Sequence, residues 1–164
     1  MLPLQKFLKM NKNKLLLELV WWTFTAVFAA MVLYPIWSKV TEYPERINFY
    51  NLLYIVTFIT LTRYMFLMKY TVIANSKVTK ALLIILCIPL IIFSIDGIFS
   101  FRQILDNDGY AAICKGVADE NMNAIGMYYR NEYLFFGVSA IITAIIFPFR
   151  MVISIWRQIN RGTV

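Results

Sequence analysis

Three charged residues stand inside stretches of the sequence that are otherwise apolar: Glu18, Arg63 and Arg150. If these stretches are helical, a rise of 1.5 Å per residue places Glu18 roughly 5 Å, Arg63 roughly 9 Å and Arg150 roughly 10 Å from the basic end of its stretch. Because these depths differ by about one helical turn, we expect a polar layer. In it the three side chains face the interior of a helix bundle and tie three helices together.

The predicted polar layer has more than one interpretation. A buried glutamate and arginine can form a purely structural tie, and pairing lowers the cost of charges in hydrocarbon. An arginine can instead extend its long apolar stem and place its guanidinium at the lipid headgroups. A third interpretation is functional, because two arginines against one glutamate leave a surplus cation. That cation could hold a lipid phosphate or an anionic substrate through paired hydrogen bonds.

Asp96 is a further charge within an apolar stretch, in the segment "FSIDGIF". An acid at such a position can relay protons or bind a cation. It can equally lie at the membrane interface in contact with water, and the sequence favours this solvated interpretation. We therefore treat Asp96 as a candidate ionisable residue on the outer side. The adjacent Gly97 allows close approach of a second helix.

Several kinds of catalytic and metal site are missing from the sequence. The chain contains no histidine, and its two cysteines, Cys87 and Cys114, are predicted at different membrane depths. They form neither a C-x-x-C redox pair nor a zinc site. The turn "DNDG", residues 106–109, opens like a calcium loop, but the twelfth position holds Val117 where such a loop requires glutamate. We predict no catalytic residue, metal or cofactor.

The elements that must position these residues are four apolar segments, each about 20 residues long, the length of helix that crosses a bilayer. Hydrophobic residues make up 60% of the 164 residues and charged residues 15%, an unusually apolar balance for a soluble domain. Each segment is apolar nearly all round and must therefore be helical in lipid. The sequence predicts an all-α integral membrane protein, a single four-helix transmembrane bundle. Its spans are about 15–37, 49–68, 81–101 and 133–156, with a partly helical outer loop at about 102–132.

The charges of the connecting segments predict the orientation. If the N-terminus is inside, the inner side carries eleven Lys and Arg against one acid, and the outer side carries five against eight acids. Excess Lys and Arg in short flanks marks the cytoplasmic side. We therefore expect both termini inside, in a bacterial inner membrane. The basic N-terminal segment "KFLKMNKNK" is too short for a nucleic-acid site and is expected to contact anionic headgroups.

The small size, thin extramembrane parts and absent motifs favour a non-catalytic accessory or scaffold subunit of a larger inner-membrane complex. Its expected partners are membrane lipids, including anionic headgroups, and either other membrane subunits or further copies of the chain. The alternative is a small oligomeric transporter, channel or anionic-lipid-binding protein that uses the predicted polar layer. A third hypothesis is a lipid-modifying enzyme with Asp96 or Glu18 as its acid–base group.

Overall fold

A computed structural model describes residues 2–42 and 44–160. The predicted inner position of the C-terminus falls on residues 161–164, which lie outside the described residues. Four helices follow one another along the chain: α1 (Leu2–Lys39), α2 (Glu45–Leu67), α3 (Lys77–Asp108) and α4 (Asp119–Asn160). Short 3₁₀ turns at Met68–Tyr70, Val72–Asn75 and Tyr110–Ala112 lie in the connections. The all-helical class is confirmed, and all four helices are long and apolar enough to cross a membrane.

Local signals fix the ends of α3. Ser76 precedes the helix in extended conformation, and its hydroxyl accepts a hydrogen bond from the backbone N–H of Thr79 at 3.2 Å, an N-cap. At the other end Gly109 has a φ of 67°, a positive value that glycine adopts without the strain of a Cβ. Its N–H donates to the carbonyl of Leu105 at 3.0 Å. The turn predicted at residues 106–109 is therefore where α3 stops.

The connections define two ends of the bundle. The α1–α2 and α3–α4 connections meet, since the N–H of Thr41 donates to the carbonyl of Lys115 at 3.0 Å. Because this end holds most of the chain's acids, we call it the acidic end. The α2–α3 connection lies at the opposite end, which we call the basic end, beside the first turns of the apolar part of α1 and the last turns of α4.

Helix α4 packs against both α2 and α3, whereas α1 lies more loosely against α2 and α4. The larger buried cluster occupies the half of the bundle near the acidic end and is rich in aromatic rings. A smaller cluster occupies the other half and includes Cys87, Phe147 and Met151. Helices α2 and α4 therefore form the centre of the bundle, and α1 and α3 its periphery.

The structure differs from the sequence prediction at the ends of the helices. Helix α3 continues to Asp108 and α4 begins at Asp119, so the predicted outer loop of residues 102–132 shrinks to a connection of residues 109–118. The reason is packing. Apolar residues recur at helical spacing on both sides of the connection. Tyr129 belongs to the larger cluster, and Ile104, Met122 and Ile125 pack against it as extensions of the two helices. Helix α1 likewise starts before the predicted span, at Leu2.

Candidate functional site

Glu18 and Arg63 form a buried ion pair between α1 and α2. Nη2 of Arg63 lies 2.8 Å from Oε2 of Glu18, and the two side chains are 5% and 14% exposed. The guanidinium carbon also lies 5.5 Å from the ring centre of Trp21 and 5.1 Å from that of Tyr64, within cation–π range. An opposite charge and two aromatic rings thus surround the arginine.

Two further donors complete the surroundings of the Glu18 carboxylate. The hydroxyl of Tyr64 donates to Oε2 and the backbone N–H of Val72 donates to Oε1, both at 3.3 Å. Val72 belongs to a 3₁₀ turn, so Glu18 joins α1 both to α2 and to the α2–α3 connection. Arg63 is less completely bonded, because its Nε and Nη2 have no partner of hydrogen-bond geometry although both are buried. The contact of Nη2 with Glu18 is an ion pair without an aligned N–H.

Arg150, the third member of the predicted polar layer, has a different partner. Its Nε donates to the backbone carbonyl of Met65 at 3.1 Å, joining α4 to α2. Met65 lies in the last turn of α2, where carbonyl groups lack a partner within the helix. The structure therefore brings Glu18 and Arg63 into direct contact and attaches Arg150 to the same end of α2, without an acid among its described contacts.

Lys80 is a buried charge that the sequence analysis counted only as part of the inner flank. It lies in the first turn of α3 and is fully buried. Its Nζ donates to the hydroxyl of Ser154 at 3.0 Å and to the side-chain oxygen of Gln158 at 3.2 Å, both on α4. Ser154 and Gln158 are four residues apart on one face of α4, and this polar spacing in an apolar helix is the sequence signal for the site.

Asp96 pairs with an arginine on the bundle surface. Nη2 of Arg46 lies 2.7 Å from Oδ2 of Asp96, and the hydroxyl of Tyr50 donates to the same oxygen at 3.0 Å. The side chains of Arg46 and Asp96 are 66% and 52% exposed. An ion pair this exposed contributes little to stability in water. The geometry joins α2 to α3 near the acidic end.

Glu132 and Asn51 form a buried polar pair that the sequence analysis did not identify. Nδ2 of Asn51 on α2 donates to Oε2 of Glu132 on α4 at 2.7 Å. Asn51 is fully buried and Glu132 is 8% exposed. Glu132 was assigned to the outer loop because the apolar run begins only at the next residue. The sequence signal that could have identified the pair is Asn51, a polar residue in the apolar part of α2. It lies at the depth of the first turn of the apolar run of α4.

Aromatic side chains fill the same half of the bundle as Glu132. The rings of Phe101 and Tyr133 stack with centroids 4.1 Å apart, and Tyr54 meets Tyr133 edge-on at 5.1 Å. The two tyrosine hydroxyls donate to backbone carbonyls of α3, Tyr54 to Ser94 at 2.8 Å and Tyr133 to Gly97 at 3.0 Å. Gly97 is necessary here, because a Cβ at that position would overlap the hydroxyl of Tyr54. These contacts join α2 and α4 to α3 through the interior of the bundle.

The cysteines and acids do not form a reactive or metal-binding group in the described part of the chain. Cys87 and Cys114 are both buried and unpaired, and they belong to different core clusters. Burial raises the pKa of the Cys114 thiol, which lies in the α3–α4 connection, and so weakens it as a nucleophile. Among residues 2–42 and 44–160 no group of three or more Cys, Asp or Glu side chains could hold a metal ion.

A surface groove of about 440 Å³ runs between α2 and α3. Its walls are mostly apolar, and Arg46 and Tyr50 supply its polar groups. The lining residues are Arg46, Phe49, Tyr50, Leu53, Leu86, Pro89, Leu90 and Phe93. The buried charges described above do not line it, so the groove offers no cluster of acid, base and nucleophile.

The buried charges of this protein thus contact neighbouring helices, and no reactive cluster faces an open cavity among the described residues. Comparison with protein-family models, with curated proteins and with solved structures finds no match for the chain.

Proposed function

We propose that this chain is a non-catalytic accessory or scaffold subunit of a larger membrane complex. The observation that carries the proposal is that its buried and half-buried charges contact neighbouring parts of the same chain. Glu18, Arg63, Lys80 and Arg150 each contact a neighbouring helix or connection, and these contacts hold the bundle together. Charges inside a membrane segment usually serve a pathway or a site. Here they support a rigid four-helix unit that can present its outer faces to partners.

The peripheral helices support packing against other subunits. In the most apolar stretch of each helix, the share of the stretch that is buried inside the chain is 11% for α1 and 17% for α3. The corresponding share is 39% for α2 and 33% for α4. Exposed aromatic residues of α1 include Trp22, Phe24 and Trp37. Aromatic side chains supply large contact areas in interfaces. We therefore assign the outer faces of α1 and α3 to contacts with partner helices.

Photo-crosslinking in the native membrane tests this assignment. A benzophenone amino acid replaces Met31 on α1, Ile85 on α3 or Phe149 on α4, which are equally exposed at 68%. We expect adducts with one other protein from Met31 or Ile85 and far fewer from the control position Phe149. Adducts of twice the chain's 19.2 kDa would indicate a homo-oligomer instead. Contact with lipid alone at all three positions would contradict the proposal.

We further propose that the basic end of the bundle faces the cytoplasm of a bacterial cell and that the protein resides in the inner membrane. The excess of Lys and Arg at that end supports this orientation. The test is labelling with a membrane-impermeant maleimide in a variant lacking Cys87 and Cys114. Glu120→Cys should react in intact spheroplasts and Lys69→Cys only after lysis. The opposite pattern would contradict the orientation.

The second candidate function is binding of an anionic lipid, alone or within a small oligomeric transporter or channel. A specific observation favours it: three cations, Arg63, Lys80 and Arg150, lie at the basic end. Glu18 pairs with Arg63, whereas the described partners of Lys80 and Arg150 are neutral groups. Lys80 and Arg150 also repel one another. An anionic headgroup there would relieve the repulsion and meet the incompletely bonded guanidinium of Arg63.

Native mass spectrometry of the protein with added lipid tests this second function. We expect retention of phosphatidylglycerol over phosphatidylethanolamine and a several-fold loss of that preference in Arg150→Gln. The matched control is Arg157→Gln, an exposed arginine on the same helix. Equal retention of the two lipids by the unmodified protein would exclude a selective anionic site.

A further inference from the structure

The buried pair of Glu132 and Asn51 leaves two oxygen atoms unsatisfied. Oε2 of Glu132 accepts from Nδ2 of Asn51, but Oε1 of Glu132 and Oδ1 of Asn51 are both buried without a hydrogen-bond partner. Both atoms are acceptors as long as the carboxyl is ionised. An unsatisfied buried acceptor destabilises the folded state, and more so when it carries charge. Two such atoms on one bonded pair require an explanation.

A single proton supplies that explanation. A carboxyl group and a primary amide can pair through two hydrogen bonds, with the amide N–H donating to one carboxyl oxygen and the carboxyl O–H donating to the amide oxygen. The structure already contains the first of these bonds. A proton on Oε1 of Glu132 turns this acceptor into a donor and gives Oδ1 of Asn51 its missing partner. Protonation therefore satisfies both orphaned atoms at once.

The titratable groups described on the surrounding helices have other partners and do not supply the missing donor. On α2 the titratable neighbours of Asn51 are Tyr50 and Tyr54, which bond to Asp96 and to the carbonyl of Ser94. On α3 the nearby Asp96 is already bound by an arginine.

The neighbours of Glu132 along its own helix include tyrosines. On its own helix, Tyr128 interacts electrostatically with Glu132 and donates its hydroxyl to the carbonyl of Val32 on α1. In the described part of the chain, no lysine or arginine forms an ion pair with Glu132.

We propose that Glu132 is a proton-binding site, which holds a proton at neutral pH and donates it to Oδ1 of Asn51. A buried carboxylate without a counter-ion is strongly disfavoured in a membrane protein, and binding a proton removes its charge. A metal cation is a poorer occupant, because the site offers it two free oxygens where hard cations take six or more ligands. The proposal is independent of the scaffold function.

Infrared spectroscopy of the purified protein in detergent at pH 7 tests the proposal. The spectrum should contain the carbonyl band of a protonated carboxyl group, and ¹³C labelling of glutamate should shift it. The band should be absent from Glu132→Gln and unchanged in Glu120→Gln, an exposed glutamate of the same helix. Glu132→Gln should fold normally, because its amide can form both hydrogen bonds with Asn51. The labelled native protein makes the test independent of any variant.

A second variant and a change of salt test whether the occupant of the site is a proton or a metal cation. In Asn51→Leu the band should persist at higher frequency, since the protonated carboxyl loses its acceptor. Absence of a glutamate-derived band from the native protein would overturn the proposal. So would a band that disappears when sodium chloride replaces choline chloride, because that result would assign the site to a cation.

Discussion

Glu18 and Glu132 are both carboxyl groups that are largely shielded by neighbouring helices, but they are stabilised in opposite ways. Glu18, at the basic end, contacts a guanidinium and receives hydrogen bonds from a tyrosine hydroxyl and a backbone N–H. Glu132, near the acidic end, receives one hydrogen bond from a neutral amide. One residue type thus joins helices either as half of an ion pair or through a hydrogen bond from a neutral amide.

The two ends of the bundle also differ in the side chains that join the helices. At the basic end the joining groups are charged and involve every helix, with Arg63 on α2, Lys80 on α3 and Arg150 on α4. Near the acidic end the interior is built from stacked rings whose hydroxyls bond to backbone carbonyls. Substitutions that remove charge should therefore have their largest effects at the basic end.

The largest effect is expected from Arg63→Met. This substitution leaves Glu18 buried without its counter-ion, and breaking a buried pair in this way costs about 3 kcal/mol. The free energy of unfolding should fall by this amount in a titration with SDS in mixed micelles. The double variant Glu18→Leu, Arg63→Met should regain most of the loss, because neither charge then remains. Native stability in the single variant would show that Arg63 is free to reach the headgroups.

Asn51→Leu should have the next largest effect. It removes the donor to Glu132, and a buried group that loses its partner costs about 2 kcal/mol. The control is Asn131→Leu, because Asn131 is exposed on α4 beside Glu132. The same titration measures both variants, and equal stability would show that the Asn51–Glu132 bond contributes nothing.

Arg150→Gln should cost less, about 1.5 kcal/mol, the value of a hydrogen bond from a charged donor. The bond lost is the one to the carbonyl of Met65, which can recover a partner from water at the end of α2. Arg157→Gln again serves as the exposed control. A loss as large as that of Arg63→Met would place Arg150 in the same charge network as Glu18.

The smallest effect is expected from Arg46→Gln. The ion pair with Asp96 is exposed, so solvent screens it and its loss should leave the unfolding midpoint within error of the native protein. Glu45→Gln on the preceding residue is the matched control. A clear destabilisation would mean that the Arg46–Asp96 pair lies in lipid and not at the aqueous interface.

The sequence predicts how deep a residue lies along its helix better than it predicts which neighbour the side chain contacts. Four helices followed from hydropathy, and the similar depths of Glu18 and Arg63, within about one helical turn, followed from the rise per residue. The partner of Arg150 could not be predicted, because a free carbonyl at a helix end leaves no mark in side-chain spacing. The ends of α3 and α4 were missed because their polar outer turns pack through a few apolar residues. Glu132 was missed because it directly precedes the apolar run of α4 and was therefore assigned to the outer loop.

The most direct test of the contrast is to neutralise the two carboxyl groups in the same way and compare the results. Glu18→Gln and Glu132→Gln each replace a carboxyl oxygen by an NH₂ group of nearly equal size. The free energy of unfolding should fall by about 3 kcal/mol in Glu18→Gln, which leaves Arg63 unpaired. It should stay unchanged in Glu132→Gln, which mimics the protonated acid. Equal losses in the two variants, or a larger loss in Glu132→Gln, would contradict this account.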